Sequence, residues 1–472
     1  MISRSLTRRL RSYALFALLV YIFVYLIRHV LFDSVYSVAS SSYPPLKDVV
    51  DTALDEEISK VLRSLELSAQ KRSWETSRKK TLQSALLCST RKGTWNLGAT
   101  LNQTWPSFAP HEHCPGTYSN STSTGRTAPV DVCQYLSGKK ILFVGPDTTF
   151  YLHSLWLNSL EKYEYRSHTC LGRDFCTFHH ICRRPVIQKE YVLEGAPPSR
   201  KKKMPSRNIL LATNSSLLQY ALSTTLHISK NEHDGAYTEP AVDQGTGIRM
   251  ENTYWLRRAR KTDILVINRG PVPAPAMTYA FEDHVTDKWA FAARLCKQTN
   301  YFSTSHCNAN RESRLVNAAL HATVTLFLPS VLQSLEVIEQ DPDISKSYLI
   351  WHSSWFIQPS CAIVGIPPSI PLLREMWSGN DPYLVDPWSF YYNSQVYMHD
   401  RLLPQILAHF NFTYIPLTMS PFVKHSSARF LENHQDFSSK PKDCLRHPWP
   451  TFGVNSLEVV FFSALSKILH LL

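Results

Sequence analysis

The first strong pattern along the chain is an apolar run. Residues 13–27 are almost unbroken in apolar side chains, Arg28 and His29 interrupt them, and Val30, Leu31 and Phe32 extend the run. About 20 such residues, rising 1.5 Å each, cross a hydrocarbon core of about 30 Å. The pattern predicts one transmembrane helix over 12–32, with Arg28 snorkelling toward the headgroups. Arg4, Arg8, Arg9 and Arg11 lie in the preceding tail, 1–11, and place it on the cytoplasmic side. A cleaved signal peptide is the competing reading, but small-residue cleavage positions come only at 38–40. The pattern favours a retained type II signal anchor in contact with lipid.

The next pattern has helical period. Leu46, Val50, Leu54, Ile58, Val61, Leu62 and Leu65 recur every three to four residues, with acidic and basic residues between them. This predicts an amphipathic helix within a stem, 33–87, that holds the rest of the chain off the membrane. A short coiled coil is the alternative, although the repeat covers few heptads. Residues 88–135 form a cysteine-containing, loop-like region rich in Ser, Thr, Gly and Pro.

From 136 to 472 the pattern changes again. Short apolar runs at 140–144, 263–268 and 348–351 read as buried strands, and 287–295 and 315–328 read as helices between them. Pro329 is expected to end or kink the second helix. The apolar stretch 457–472 carries Ser463, Ser466, Lys467 and His470 and is too short to span a membrane, so it reads as a packing helix. Strands alternating with helices predict an α/β domain with a mostly parallel sheet, whose ligands bind at the carboxyl ends of the strands.

Composition adds the compartment. A content of 44% hydrophobic and 12% aromatic residues excludes a disordered chain. The net charge of +12 fits an anionic partner such as a membrane surface or acidic glycan. Nucleic acid is set aside, and the basic stretch 199–207 reads as a solvated loop or glycan contact. Asn102, Asn120, Asn214 and Asn411 head Asn-X-Ser/Thr triplets, the acceptor pattern for N-glycosylation. Ten widely spaced cysteines fit disulfides in an oxidising lumen. Cys170, Cys176, His179, His180 and Cys182 invite a zinc reading, but their spacing is not that of a zinc site, and disulfides are favoured. No metal or bound cofactor is expected.

Two strand ends and one late pair carry candidate chemistry. Gly145 closes the strand 140–144, and Pro146, Asp147, Thr148 and Thr149 follow where a helix should begin. Asn268 ends the strand at 263–268 and offers a side-chain amide for an oxyanion. Asp443 and His447 lie four apart, close enough to act as acid and base on one turn.

In order, these segments resemble the SGNH-like PC-esterases and polysaccharide O-acetyltransferases, a group that includes trichome-birefringence-like and fungal capsule-associated proteins. The resemblance rests on Cys88 with Gly93-Thr94-Trp95, on Leu136-Ser137-Gly138-Lys139 leading to Phe143-Val144-Gly145, and on residues 263–270. It continues through Ser426 with Arg429, His434, Asp443-Cys444 with His447, and Pro448-Trp449-Pro450. It covers residues 88–472. It implies an SGNH-hydrolase-like three-layer α/β/α domain in the Golgi or another secretory membrane, acting on cell-wall or capsular polysaccharide with an unidentified acyl donor. It assigns Gly145 and Asn268 to the oxyanion site and Asp443 and His447 to the acid–base pair.

Two departures bear on activity. Pro146-Asp147 stands where the family has Asp-Ser, so a carboxylate occupies the nucleophile position and Thr148 is the next hydroxyl. One extra residue also separates Asp443 from His447. Three functions follow as expectations. One is acetyl transfer or ester hydrolysis using Thr148, or water activated by His447. The second is a non-catalytic glycan-binding or partner protein of the same fold. The third is a type II glycosyltransferase, for which no Asp-X-Asp motif stands at a strand end.

Overall fold

A computed structural model describes residues 46–68, 82–88, 94–96, 107–109, 129–160, 179–182, 206–228, 241–243, 246–279, 288–299, 301–309, 311–355, 387–417, 464–465 and 468. The expected anchor 12–32, Asn102, Asn120, Asp443 and His447 lie outside them. In chain order the elements used below begin with helices α1 (Leu46–Ser68) and α2 (Pro129–Leu136). Strand β1 (Lys140–Gly145), helix α3 (Asp147–Leu160), strand β2 (His179–Ile181), helix α4 (Arg207–Ala212) and strands β3 (Ser216–Leu222) and β4 (Ile264–Ile267) follow. Then come α5 (Ala290–Gln298), α6 (Arg311–Ala322), α7 (Leu328–Gln340), β5 (Tyr348–His352), α8 (Pro387–Leu407) and β6 (Thr413–Ile415).

The six strands form one sheet in the order β6-β5-β4-β1-β3-β2. All neighbours are parallel except β2, which runs antiparallel along the outer side of β3. From β1 the chain goes to β2 at the edge and back to β3 beside β1, then crosses to the other side of β1 to lay down β4, β5 and β6. The direction of travel therefore reverses between β1 and β4. In open α/β sheets that reversal leaves a crevice at the carboxyl ends of the strands.

Both faces of the sheet are dry. Ile141, Phe143, Leu218, Val266 and Ile350 share a cluster with Leu152 and Trp156 of α3, and Ala464, Leu465 and Ile468 join it. Leu142, Val144, Leu265 and Ile267 point the other way and are equally buried. A strand covered on both sides needs apolar residues at every position, which is why these segments read as continuous runs. Each such side chain contributes about 1.5–3 kcal/mol of transfer free energy.

Pro329 does not end its helix. A π-helical turn, Thr323–Phe327, joins α6 to α7, and Pro329 sits in the first turn of α7. Leu328 N donates to Thr323 O, five residues back. The widened turn shifts the register where proline lacks a donor and would press on the carbonyl four residues before it. The helix over 311–340 is long and apolar enough to cross a membrane by length and composition. However, 61% of its most apolar window is buried inside the protein, and a core helix meets the same criterion.

Residues Val50–Leu472 form one compact unit; the other, Met1–Val49, contributes only the start of α1 to the described residues. Within the larger unit Val50, Leu54 and Ile58 of α1 are buried. Tyr397 Oη of α8 donates to Asp51 at 2.6 Å, and Arg401 Nη2 reaches both oxygens of Asp55 at 2.9 and 2.8 Å. The amphipathic helix expected in the stem thus docks on α8. Between described residues, the disulfides Cys133–Cys182 and Cys296–Cys307 join positions 49 and 11 apart in sequence. The first ties the end of β2 to α2, so Cys182 of the cysteine-histidine stretch serves in a disulfide.

Candidate functional site

Gly145 ends β1 at the crevice. A Cβ there would collide with Thr149 Oγ1 and come within 2.8 Å of Asn268 O. Only glycine lets the first turn of α3 lie this close to the strand ends. Pro146 O accepts from Thr149 N at 2.9 Å and Phe150 N at 3.1 Å, which starts the helix without a side-chain cap. Asp147 is the first residue of α3, where its negative charge complements the helix dipole. That role needs no chemistry from the carboxylate.

The expected hydroxyl, Thr148, is 4% exposed, and its Oγ1 finds no hydrogen-bond partner among the described residues. The next residue does. Thr149 Oγ1 lies 3.0 Å from Nε2 of His352, the last residue of β5. His352 Nδ1 lies 2.9 Å from Ser353 O. A carbonyl can only accept, so Nδ1 carries the proton and Nε2 accepts from the threonine hydroxyl. Burial pulls the imidazole pKa down to about 4, against a smaller upward pull from the Ser353 carbonyl. His352 is therefore neutral at neutral pH.

Asn268 completes this corner. Its N–H donates to Val144 O at 3.0 Å, and its Nδ2 donates to His352 O at 2.7 Å. Nδ2 also lies 3.3 Å from His352 Nδ1, but both atoms carry hydrogens, so the carbonyl is the bonded partner. The side-chain amide is thus committed to holding β5 beside β4. Asn268 Oδ1 is buried without a partner among the described residues. Burial pushes the Tyr392 hydroxyl of α8 above its ordinary pKa, with a smaller opposing pull from Ser354.

A neutral imidazole accepting from a hydroxyl is the arrangement in which a base activates a nucleophile. Here, however, Thr149 and His352 are both 0% exposed. The pair can hold α3 against β5, but a polysaccharide cannot reach it in this conformation.

The structure brings Gly145, Asp147, Thr148 and Asn268 to one corner, at the ends of β1 and β4 and the start of α3. It adds Thr149 and His352, which sequence reasoning missed. The strand at 348–351 extends one residue further, to His352. A polar side chain just past an apolar run was the available signal. Asn214 and Asn411 are both exposed, each in the left-handed region at a turn, with φ of 47° and 61°. Among the described residues no three His, Cys, Asp or Glu side chains converge as metal ligands.

Open space lies next door. A cleft of about 360 Å³ sits past the ends of β3 and β4, with Thr224, Asp243, Asn252, Arg269, Gly270 and Ser330 among its walls. Neither a family model nor a curated protein matches the chain.

Proposed function

We propose that this is a membrane-anchored protein of the secretory pathway, built on an SGNH-like scaffold, that binds polysaccharide without acylating it. One observation carries the reading. The hydroxyl–imidazole pair at the switch point has no exposed surface, while the carboxylate of Asp147 stands where the resemblance puts the nucleophile. A carboxylate attacking an ester would form a mixed anhydride rather than the usual acyl-enzyme. The Thr149–His352 bond then serves as a lock on a former reaction centre. The N-terminal apolar run, the acceptor asparagines and the disulfides support the anchored, luminal setting.

The test uses the purified full-length chain in detergent, with acetylated and deacetylated plant cell-wall and fungal capsular polysaccharides. Saturable binding is expected, with no acetate release or transfer above the buffer rate. Turnover that disappears in both Thr149→Ala and His352→Ala would overturn this reading.

That outcome would establish the second reading, favoured by the 3.0 Å Thr149–His352 contact. In it, His352 Nε2 takes the Thr149 proton as Oγ1 attacks the donor's acyl carbon. The leaving oxygen then takes that proton as the C–O bond breaks. A glycan hydroxyl next displaces the threonine, giving its proton to the imidazole and so back to Oγ1. This route requires α3 and β5 to part enough to admit both substrates.

A further inference from the structure

Arg269 follows Asn268 directly and is 93% shielded from solvent, being 7% exposed. Its Nη1 donates to Leu326 O at 3.1 Å and to Phe327 O at 2.5 Å, both in the π-helical turn. Its guanidinium carbon stands 5.1 Å from the centre of the Phe327 ring. Among the described residues Arg269 has no carboxylate in ion-pair contact. A guanidinium carries five N–H donors, and one nitrogen accounts for the bonds it makes here. π-Turns are rare and concentrate at functional sites.

The cleft beside it has a definite chemical character. Asp243 also lines it, near enough to offset part of the burial penalty that draws the Arg269 pKa down to about 10. Asp243 Oδ1 accepts from Thr246 N at 2.8 Å and Thr246 Oγ1 at 2.9 Å, so its carboxylate is held in place. Among the described residues the walls thus carry one guanidinium and one carboxylate, with hydroxyls and an amide beside them. Val242, Val272 and Leu326 are among its apolar walls, and His227 also lines it. Although the whole chain carries +12, these fixed charges balance.

We infer that this cleft is a binding site for one uncharged sugar residue. The inference rests on the glycan-binding reading and gives it a location. A vicinal diol matches the opposed charges: one oxygen accepts from Arg269 while a neighbouring hydroxyl donates to Asp243. The apolar lining faces the C–H side of the ring. A free carboxylate on the sugar would gain Arg269 but meet Asp243. The volume lies at the small end of the range of about 300–1,000 Å³ for ligand sites, fitting one ring better than a chain. The site is separate from the Thr149–His352 corner. Gly270 lines the cleft, and a Cβ on it would meet Pro146 Cγ at 3.3 Å, so Pro146 backs this wall.

Saturation-transfer NMR on the full-length chain in detergent tests the site, with glucose, xylose, mannose and glucuronate as probes. At least one neutral sugar should bind, and glucuronate more weakly. Asp243→Asn keeps an acceptor for Thr246 and removes the charge; it should weaken binding at least about tenfold. Val242→Trp fills the cleft from a side chain that is 59% exposed, so the fold is preserved while binding is lost. Matching thermal melts verify folding of both variants. Neutral-sugar binding unchanged in Val242→Trp would overturn the location, and tighter binding of glucuronate than of any neutral sugar would overturn the ligand class. If polysaccharide binds but no probe sugar does, the cleft assignment fails and the broader reading survives. If neither binds, both fail.

Discussion

Thr149 Oγ1 and His352 Nε2 meet at 3.0 Å across 203 residues of sequence, with neither side chain reaching solvent. The contact joins the first turn of α3 to the last residue of β5. It passes over the carboxyl ends of the parallel strands β1 and β4, where the chain's direction of travel across the sheet reverses. The same bond can be read as a reaction centre or as a brace. The burial decides for the brace in this conformation, and the decision has measurable consequences.

Thr149→Val keeps the shape and removes the hydroxyl. It takes the Thr149 donor away from the buried His352 Nε2, at a cost of about 1–3 kcal/mol. Thr149→Ser keeps the bond and loses a methyl group, at a cost of about 1 kcal/mol. Urea unfolding should rank wild type above Ser and Ser above Val. A Val variant as stable as the Ser variant would mean that the bond contributes nothing net.

The buried imidazole also makes stability depend on pH. The pKa of His352 is about 4 in the folded chain and near 6.5 when unfolded. Above pH 6.5 neither state is protonated there, and the neutral imidazole costs the fold nothing. As pH falls from 6.5 toward 4 the unfolded chain binds a proton that the folded one refuses, and stability declines. The full swing is about 3 kcal/mol, and it levels off below pH 4. His153, buried beside His179 and held at about 3, acts in the same direction and continues lower. Unfolding free energies at pH 7.5, 5.5 and 4.5 should fall in that order, with a shallower fall in His352→Gln. An equal slope in that variant would assign the dependence elsewhere.

Gly145 is where the backbone permits the brace. Gly145→Ala puts a methyl group into Thr149 Oγ1 and against the backbone oxygen of Asn268. Overpacking of this kind costs about 1–3 kcal/mol, and backbone on one side leaves little room to relax. Thr149→Ala removes the closer obstacle. The double variant should be more stable than the sum of the two single losses predicts, by about 0.5–3 kcal/mol. Additive losses would mean that the two residues do not press on one another.

The parts of this fold that could be read from sequence are those where burial is complete and the run is long enough to see. β1, β4 and β5 are apolar at nearly every position because both sheet faces are covered, so each stands out as a block. β2 and β6 have three residues each, too few to establish a pattern, and β2 lies inside a stretch rich in cysteine and histidine. β3 contains Ser216 and Gln219, both buried, which break the apolar block. Gly145, Asp147, Thr148 and Asn268 could be placed because a strand end is a local property. His352 could not be joined to Thr149, because that pairing depends on the order of β1, β4 and β5 in the sheet. A choice between adjacent threonines, both buried, likewise depends on which one is aimed at β5 from the first turn of α3.

The docking of α1 separates two kinds of contact by size. Arg401 binds Asp55 through two short contacts, but Arg401 is 34% exposed and Asp55 56% exposed at their side chains. Exposed pairs of this kind contribute about 0–1 kcal/mol because solvent screens them. Leu54 is 0% exposed in the apolar stripe of the same helix. Truncating such a leucine costs about 2–5 kcal/mol, the lost transfer energy plus the cavity left behind. Hydrogen exchange of α1 should therefore barely change in Arg401→Gln at moderate salt and should rise strongly in Leu54→Ala. The reverse ranking would show that charge, rather than burial, holds α1 on the domain.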